Sequence, residues 1–167
     1  MGIGINEPLG GVELEWNAST LPTGFSTGAR VTGKDGKTYR LVKNALGSTA
    51  TLRLAYILRL NSTSGELELK AAGDDALSGF VCIPQFANIA NGNYAWVGTG
   101  GILEATSAGA IAANAQVSLS TTDGKLDDAV ITGKFINAFM NDSSGVSGAD
   151  ATIKIYSAGE LMYLSNP

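Results

Sequence analysis

A chain of 167 residues is long enough for one domain that buries a core of its own without covalent staples. Eleven Lys and Arg against fifteen Asp and Glu leave a net charge of −4, and only 16% of residues are charged, so there is no basic stripe for nucleic acid. Histidine is absent, which removes Ser-His-Asp and Cys-His catalysis, imidazole bases and His-containing zinc sites from anything this chain builds alone.

Residues 1–28 stand apart from the rest. They hold six glycines and two prolines, with Ile3, Ile5, Trp16 and Phe25 spaced among them, and read as an extended N-terminal arm on a β-rich domain of residues 29–167. The start "MGIGINEPLGG" lacks the regions of a signal peptide, Asn6 stands where a myristoylation pattern wants Ser or Thr, and no apolar run approaches the ~20 residues that cross a bilayer. The expectation is a soluble chain, made and kept without export, with no membrane partner.

From residue 29 onward, turn residues recur every eight to twelve positions, the rhythm of an all-β sandwich or barrel. "GKDGKTY" (33–39) and "TTDGKLDD" (121–128) carry Asp-Gly pairs that read as hairpin turns, the second as a solvated tip. Strands are predicted at 38–42, 55–60, 66–70, 79–83, 94–98, 116–120, 129–139 and 151–156; "ELELK" and "TIKIY" alternate as half-buried strands do. "STATLRLAYILRLN" (48–61) has spacing that suits a helix as well, and the strand reading is preferred for its alternation and the "NSTSG" turn that follows. The Ala-rich "ATSAGAIAANAQ" (105–116) reads as a loop leading into a strand. The single cysteine, Cys82 in "GFVCIP", excludes an internal disulfide and reads as a buried thiol.

"NYAWVGTGGI" (93–102) lacks the G-x-G-x-x-G order of a dinucleotide loop and reads as a strand, a glycine bend and the next strand, with Tyr94 and Trp96 held for packing or subunit contact. "DGKLDD" (123–128) has no EF-hand spacing, and "GDDAL" (73–77) has no partner that would place its carboxylates across a cleft. Asp74, Asp75, Asp123, Asp127 and Asp128 keep aspartate-only hydrolysis formally open, but no pair has a spacing that fixes a site. Asn-x-Ser/Thr triplets at Asn17, Asn61 and Asn141 reflect composition. No cofactor, metal or catalytic residue is assigned, and the chain is not read as an enzyme. After the last clear strand come Leu161, Met162, Tyr163 and Leu164, a short C-terminal tail whose apolar side chains need a core or a partner.

One order of segments resembles a known group: "YRLVKNALGS", "GFVCIPQFANIANGNYAWVGTGGILEATSAGAIAANAQVSLSTTDGKLDD", "ITGKFINAF" and "ATIKIY". Tyr94 and Trp96 followed by Gly100-Gly101, a small-residue loop running to a Thr-Asp-Gly turn, and a late Gly before an aliphatic strand are similar to the decoration, or cement, proteins of tailed-bacteriophage heads, over residues 38–156. Where such proteins often carry Gly this chain has Asn114, which tolerates a left-handed backbone. The resemblance implies a small antiparallel barrel or sandwich and a homotrimer on the capsid exterior of a virion, bound non-covalently to the major capsid protein after synthesis in the bacterial host cytoplasm.

On that reading Ile3, Ile5, Trp16 and Phe25 are candidates for meeting the shell, and Leu161, Met162, Tyr163 and Leu164 for packing between protomers or on it. The bland alternative is that Trp16 and Phe25 plug the barrel's own end. A tail or fibre module, or a carbohydrate-binding β-sandwich using Tyr94 and Trp96 as sugar platforms, is the competing functional class.

Overall fold

The computed structural model describes residues 12–72, 79–120, 124–129, 135–141 and 144–164. Among them the chain forms twelve strands and no helix: β1 (Asn17–Ala18), β2 (Arg30–Thr32), β3 (Thr38–Asn44), β4 (Tyr56–Leu60), β5 (Leu67–Lys70), β6 (Val81–Cys82), β7 (Tyr94–Thr106), β8 (Gln116–Leu119), β9 (Leu126–Asp127), β10 (Phe135–Met140), β11 (Thr152–Glu160) and β12 (Tyr163–Leu164). They make one sheet in the order β6-β4-β5-β3-β7-β11-β10-β8-β9, with β1 on β7, β2 on β3 and β12 on β10. The all-β, barrel-like class expected from the turn rhythm is what forms. The pairing is mixed rather than wholly antiparallel, because β3 and β5 run parallel at Lys43↔Glu68 and Asn44↔Leu69.

The sheet curls until both ends return to β7. Ile83 bridges Gly98 from the β6 side, and Ser107, just past the end of β7, bridges Leu126 of β9. Two buried clusters fill the curl, and the larger joins Val81 and Ile83 of the β6 side to the β7–β11 side. Val42, Tyr56, Leu58, Leu69, Ala95 and Val97 surround Cys82 in one, and Leu103, Val117, Leu126, Ile136, Ile153 and Ile155 fill the other. Cys82 is fully buried, as its apolar neighbours predict, and burial pushes its thiol up.

Local chemistry accounts for most of these elements. In the β2–β3 hairpin Gly36 takes a φ of 76°, the Lys37 amide donates to Asp35 Oδ1 at 3.0 Å, and Gly33 N–H donates to the Lys37 carbonyl. In β11 the alternation of "TIKIY" is kept, with Ile153 and Ile155 buried and Thr152, Lys154 and Tyr156 exposed. In β5 it is overridden: Glu68 is 5% exposed because Asn61 Nδ2 donates to it at 2.9 Å and Lys70 lies 3.5 Å away. Residues 51–54 form a turn, with Arg53 at a φ of 64°, so the stretch with competing helical spacing becomes a turn followed by β4. Asn114 takes a φ of 57°, the left-handed turn anticipated for it.

Two expectations are corrected. The glycines of "GTGGI" do not end a strand; β7 runs straight through them. The register slips instead, with Thr99 an extra residue between Thr38↔Gly100 and Tyr39↔Gly98, and β11 slips between Ser157↔Gly101 and Glu160↔Gly100. A Cβ on Gly98 would lie 3.3 Å from the Ile83 carbonyl oxygen, and one on Gly100 would lie 2.5 Å from the Gly159 carbonyl oxygen. Glycine is therefore what lets neighbouring chain cross the bulged strand. The second correction is the Asp123-Gly124 tip, which is not free in solvent. Gly124 is buried and its carbonyl accepts from the Ala55 amide at 2.7 Å; Asp123 lies outside the described residues.

Candidate contact surface

Hydrogen bonding between strands leaves the faces of the sheet, more than its edges, to meet other molecules. Across β10, β11 and β7 the register sets Phe139 opposite Tyr156 and Tyr156 opposite Ile102. All three project outward, at 51%, 46% and 44% exposure, while their strand neighbours Ala138, Ile155 and Leu103 are buried. The result is a row of large apolar side chains lying across three adjacent strands. Beside it, Asn137 of β10 accepts the Met162 amide at 2.6 Å, and Met162 bridges Phe80; both of these apolar side chains are also exposed. Scattered single apolar residues are normal on a protein surface, whereas an aligned row makes this face the candidate contact surface.

Two ionic knots frame the sheet. Arg40 grips Glu160 with both ends of its guanidinium, at 2.7 and 2.8 Å, while Thr99 donates to the same carboxylate at 3.2 Å and Arg30 stands 3.6 Å off. The hydrogen bond from Arg40 holds the Glu160 carboxyl below the usual carboxylate range, and Arg40 itself lies over the Phe80 ring at 5.3 Å. In the second knot Lys43 and the Tyr94 hydroxyl both donate to Glu66. The bond from Lys43 lowers the Glu66 carboxyl, and Glu66 in turn raises the Tyr94 hydroxyl. Each group already has its partner, and both knots tie strands together.

The residues singled out from sequence fall in different places. Ile3 and Ile5 lie outside the described residues. Leu14, Trp16 and Phe25 pack on Tyr39, Leu41 and Trp96, on the outer side of β3 and β7, with Phe25 edge-on to Trp96 at 5.5 Å. Trp16 is half-buried and its Nε1 donates to the Thr20 carbonyl, so the described part of the arm is docked on its own domain. Trp96 is 2% exposed and Leu161 fully buried. Neither offers a surface to a partner, which corrects their assignment as contact residues. Tyr94 is half-buried in its knot. Met162 does reach the surface; Tyr163 and Leu164 form β12 against β10, and their side chains lie outside what is described.

The row itself was missed. The signal for it lay in strand phase: Tyr156 shares the polar phase of Thr152 and Lys154, and Ile102 that of Glu104 and Thr106.

Of the aspartates, Asp74, Asp75 and Asp123 lie outside the described residues. Asp127 accepts from the Ala129 amide and Asp128 from the Ala112 amide, as loop caps. Among the described residues no group of three or more His, Cys, Asp or Glu is placed to hold a metal ion, and no helix is long and apolar enough to cross a membrane. A hollow of about 990 Å³ between residues 110–112 and 144–151 is walled mainly by Ala, Gly and Ser, with Asp128 already bonded. No protein-family model matches the chain, and no curated protein has a significant match to it.

Proposed function

We propose that this chain is a virion structural protein that decorates and stabilises the outside of a tailed-phage capsid, working by contact with the major capsid protein and with neighbouring copies. The observation that carries the reading is the aligned apolar row of Phe139, Tyr156 and Ile102, with Met162 and Phe80 beside it, exposed on a sheet face that the described residues leave open. Low charge supports it, because burying this face against another protein surface desolvates few ions. So does the likeness of residues 38–156 to decoration proteins. The sugar-binding alternative loses its main support, since the Trp96 ring has no free face.

The test is co-sedimentation of the purified chain with tailed-phage shells stripped of their decoration, followed by electron microscopy of the pellet. Saturable binding at lattice points is expected. Failure to bind any such shell, together with specific hits on a glycan array, would overturn the proposal. The arm is tested by deleting residues 2–11 rather than 2–20, because the longer cut takes Leu14 and Trp16 from the packing over Trp96 and confounds binding with folding.

A further inference from the structure

We propose that the row on β10, β11 and β7 is the seam between two copies of this chain, stacked face to face about a two-fold axis; the inference rests on the reading of that face as a contact surface. Backbone groups of the three strands are engaged within the sheet, so an extended peptide cannot add as a further strand here. The occupant must be a folded surface meeting side chains with side chains, as two sheets do at about 10 Å separation.

The row's surroundings suit a second copy. On one side of it lie the in-register pair Lys154 and Glu104; on the other lie Ala158 and the Gly100–Gly101 stretch. A two-fold axis laid along the row sets each of Phe139, Tyr156 and Ile102 over its own counterpart. It also carries the two long charged side chains of each copy over the small positions of the other, so Lys154 and Glu104 do not meet their like. An axis parallel to the strands would place Lys154 on Lys154 and is disfavoured. Glu104 already pairs with Arg53 at 2.8 Å, which keeps this face nearly neutral although each chain carries −4.

Size fits as well. Half-exposed aromatics present about 100 Å² each, so the row with Met162 and Phe80 offers about 400–500 Å² of apolar surface. With a polar rim of similar extent it reaches the ~800 Å² per partner of a standard interface.

Sedimentation velocity and light scattering on the full chain without capsids test this directly. The expected result is a concentration-dependent species of twice the 17.1 kDa chain mass, rather than the trimer that the phage resemblance implies. The pair Phe139→Glu and Tyr156→Glu, both at exposed positions, is expected to abolish it while leaving the thermal midpoint of the monomer unchanged. Tyr156→Cys is expected to give pairs linked by a bis-maleimide reagent whose span matches the ~10 Å between packed sheets, and Thr32→Cys, exposed on β2, to give none. A monomer at every concentration, a trimer, or a dimer indifferent to the Glu variants would each overturn the inference. A dimer lost in the Glu variants supports it whether or not capsids bind. Monomers that bind capsids and lose binding in those variants assign the face to the shell and refute it.

Discussion

Truncating Leu161 to Ala separates a C-terminal segment that belongs to the fold from one that hangs free for a partner. Leu161 is fully buried among the side chains of the β7–β11 core, its carbonyl accepts from the Val81 amide at 2.8 Å and its amide donates to the Thr99 carbonyl. The substitution removes three carbons, worth about 2.4 kcal/mol at 0.8 kcal/mol per buried methylene. Because those backbone bonds restrain collapse, a remaining cavity of about 40 Å³ adds about 1 kcal/mol. The expected loss is about 3–4 kcal/mol, a large share of the 5–15 kcal/mol that holds such a domain folded. In equilibrium urea unfolding, with an m-value of about 2 kcal/mol/M, the midpoint falls by about 1.5–2 M. Met162→Ala, next along the chain but exposed, should cost under about 1 kcal/mol by the same area reasoning. A loss below about 1 kcal/mol for Leu161→Ala would refute the core placement, since no buried Leu truncation is that mild.

Stability should also fall with acid through Glu160. Its carboxyl is held below the ordinary range by Arg40, so its contribution is complete above the unfolded carboxylate pKa and is lost as pH falls through the lower folded value. Urea midpoints measured from neutral pH downward should show this drop in the native chain and a shallower one in Glu160→Gln. Gly124→Ala should destabilise by well over the ~1–2 kcal/mol of a left-handed residue alone, because its Cβ would lie 2.4 Å from the Ala55 carbonyl oxygen at a φ of 74°. Gly36→Ala, with a φ of 76° and open space around it, should cost only about 1–2 kcal/mol, and equal midpoints for the two variants would contradict the docked hairpin tip. Cys82, buried and with its thiol pushed up, should resist an aromatic disulfide reagent in the native protein and react fully in denaturant. Rapid native labelling would show that its core opens.

How much of this was legible in the sequence depends on whether a feature is local. Asp35-Gly36 declares its hairpin because turn type, φ and side-chain caps are settled within five residues, and "TIKIY" declares its buried face because a strand's period is written into consecutive positions. Pairing partners are not written locally, so the parallel β3–β5 contact, two hydrophobic runs among several, could not be picked out. The glycines of β7 misled for a related reason. A residue without a side chain leaves a gap in the alternating pattern, and the gap looks the same whether the chain turns away or another segment crosses it closely, as Gly159 does over Gly100. Trp96, read for packing or subunit contact, and Leu161, read for the core or a partner, both turn out to be core. What decides between core and surface is phase relative to neighbours, and by that measure the residues to notice were those whose size contradicts their phase. Phe139 beside Asn137, Tyr156 beside Lys154 and Ile102 beside Glu104 all stand on the polar side of strands whose other side is buried. Inside the monomer such a residue gains only the cross-strand contact with the next member of the row, since its outward side is exposed. Three of them in register, on three adjacent strands, form the exposed apolar row on which the proposed contact rests, and the same register places Tyr156 at its centre.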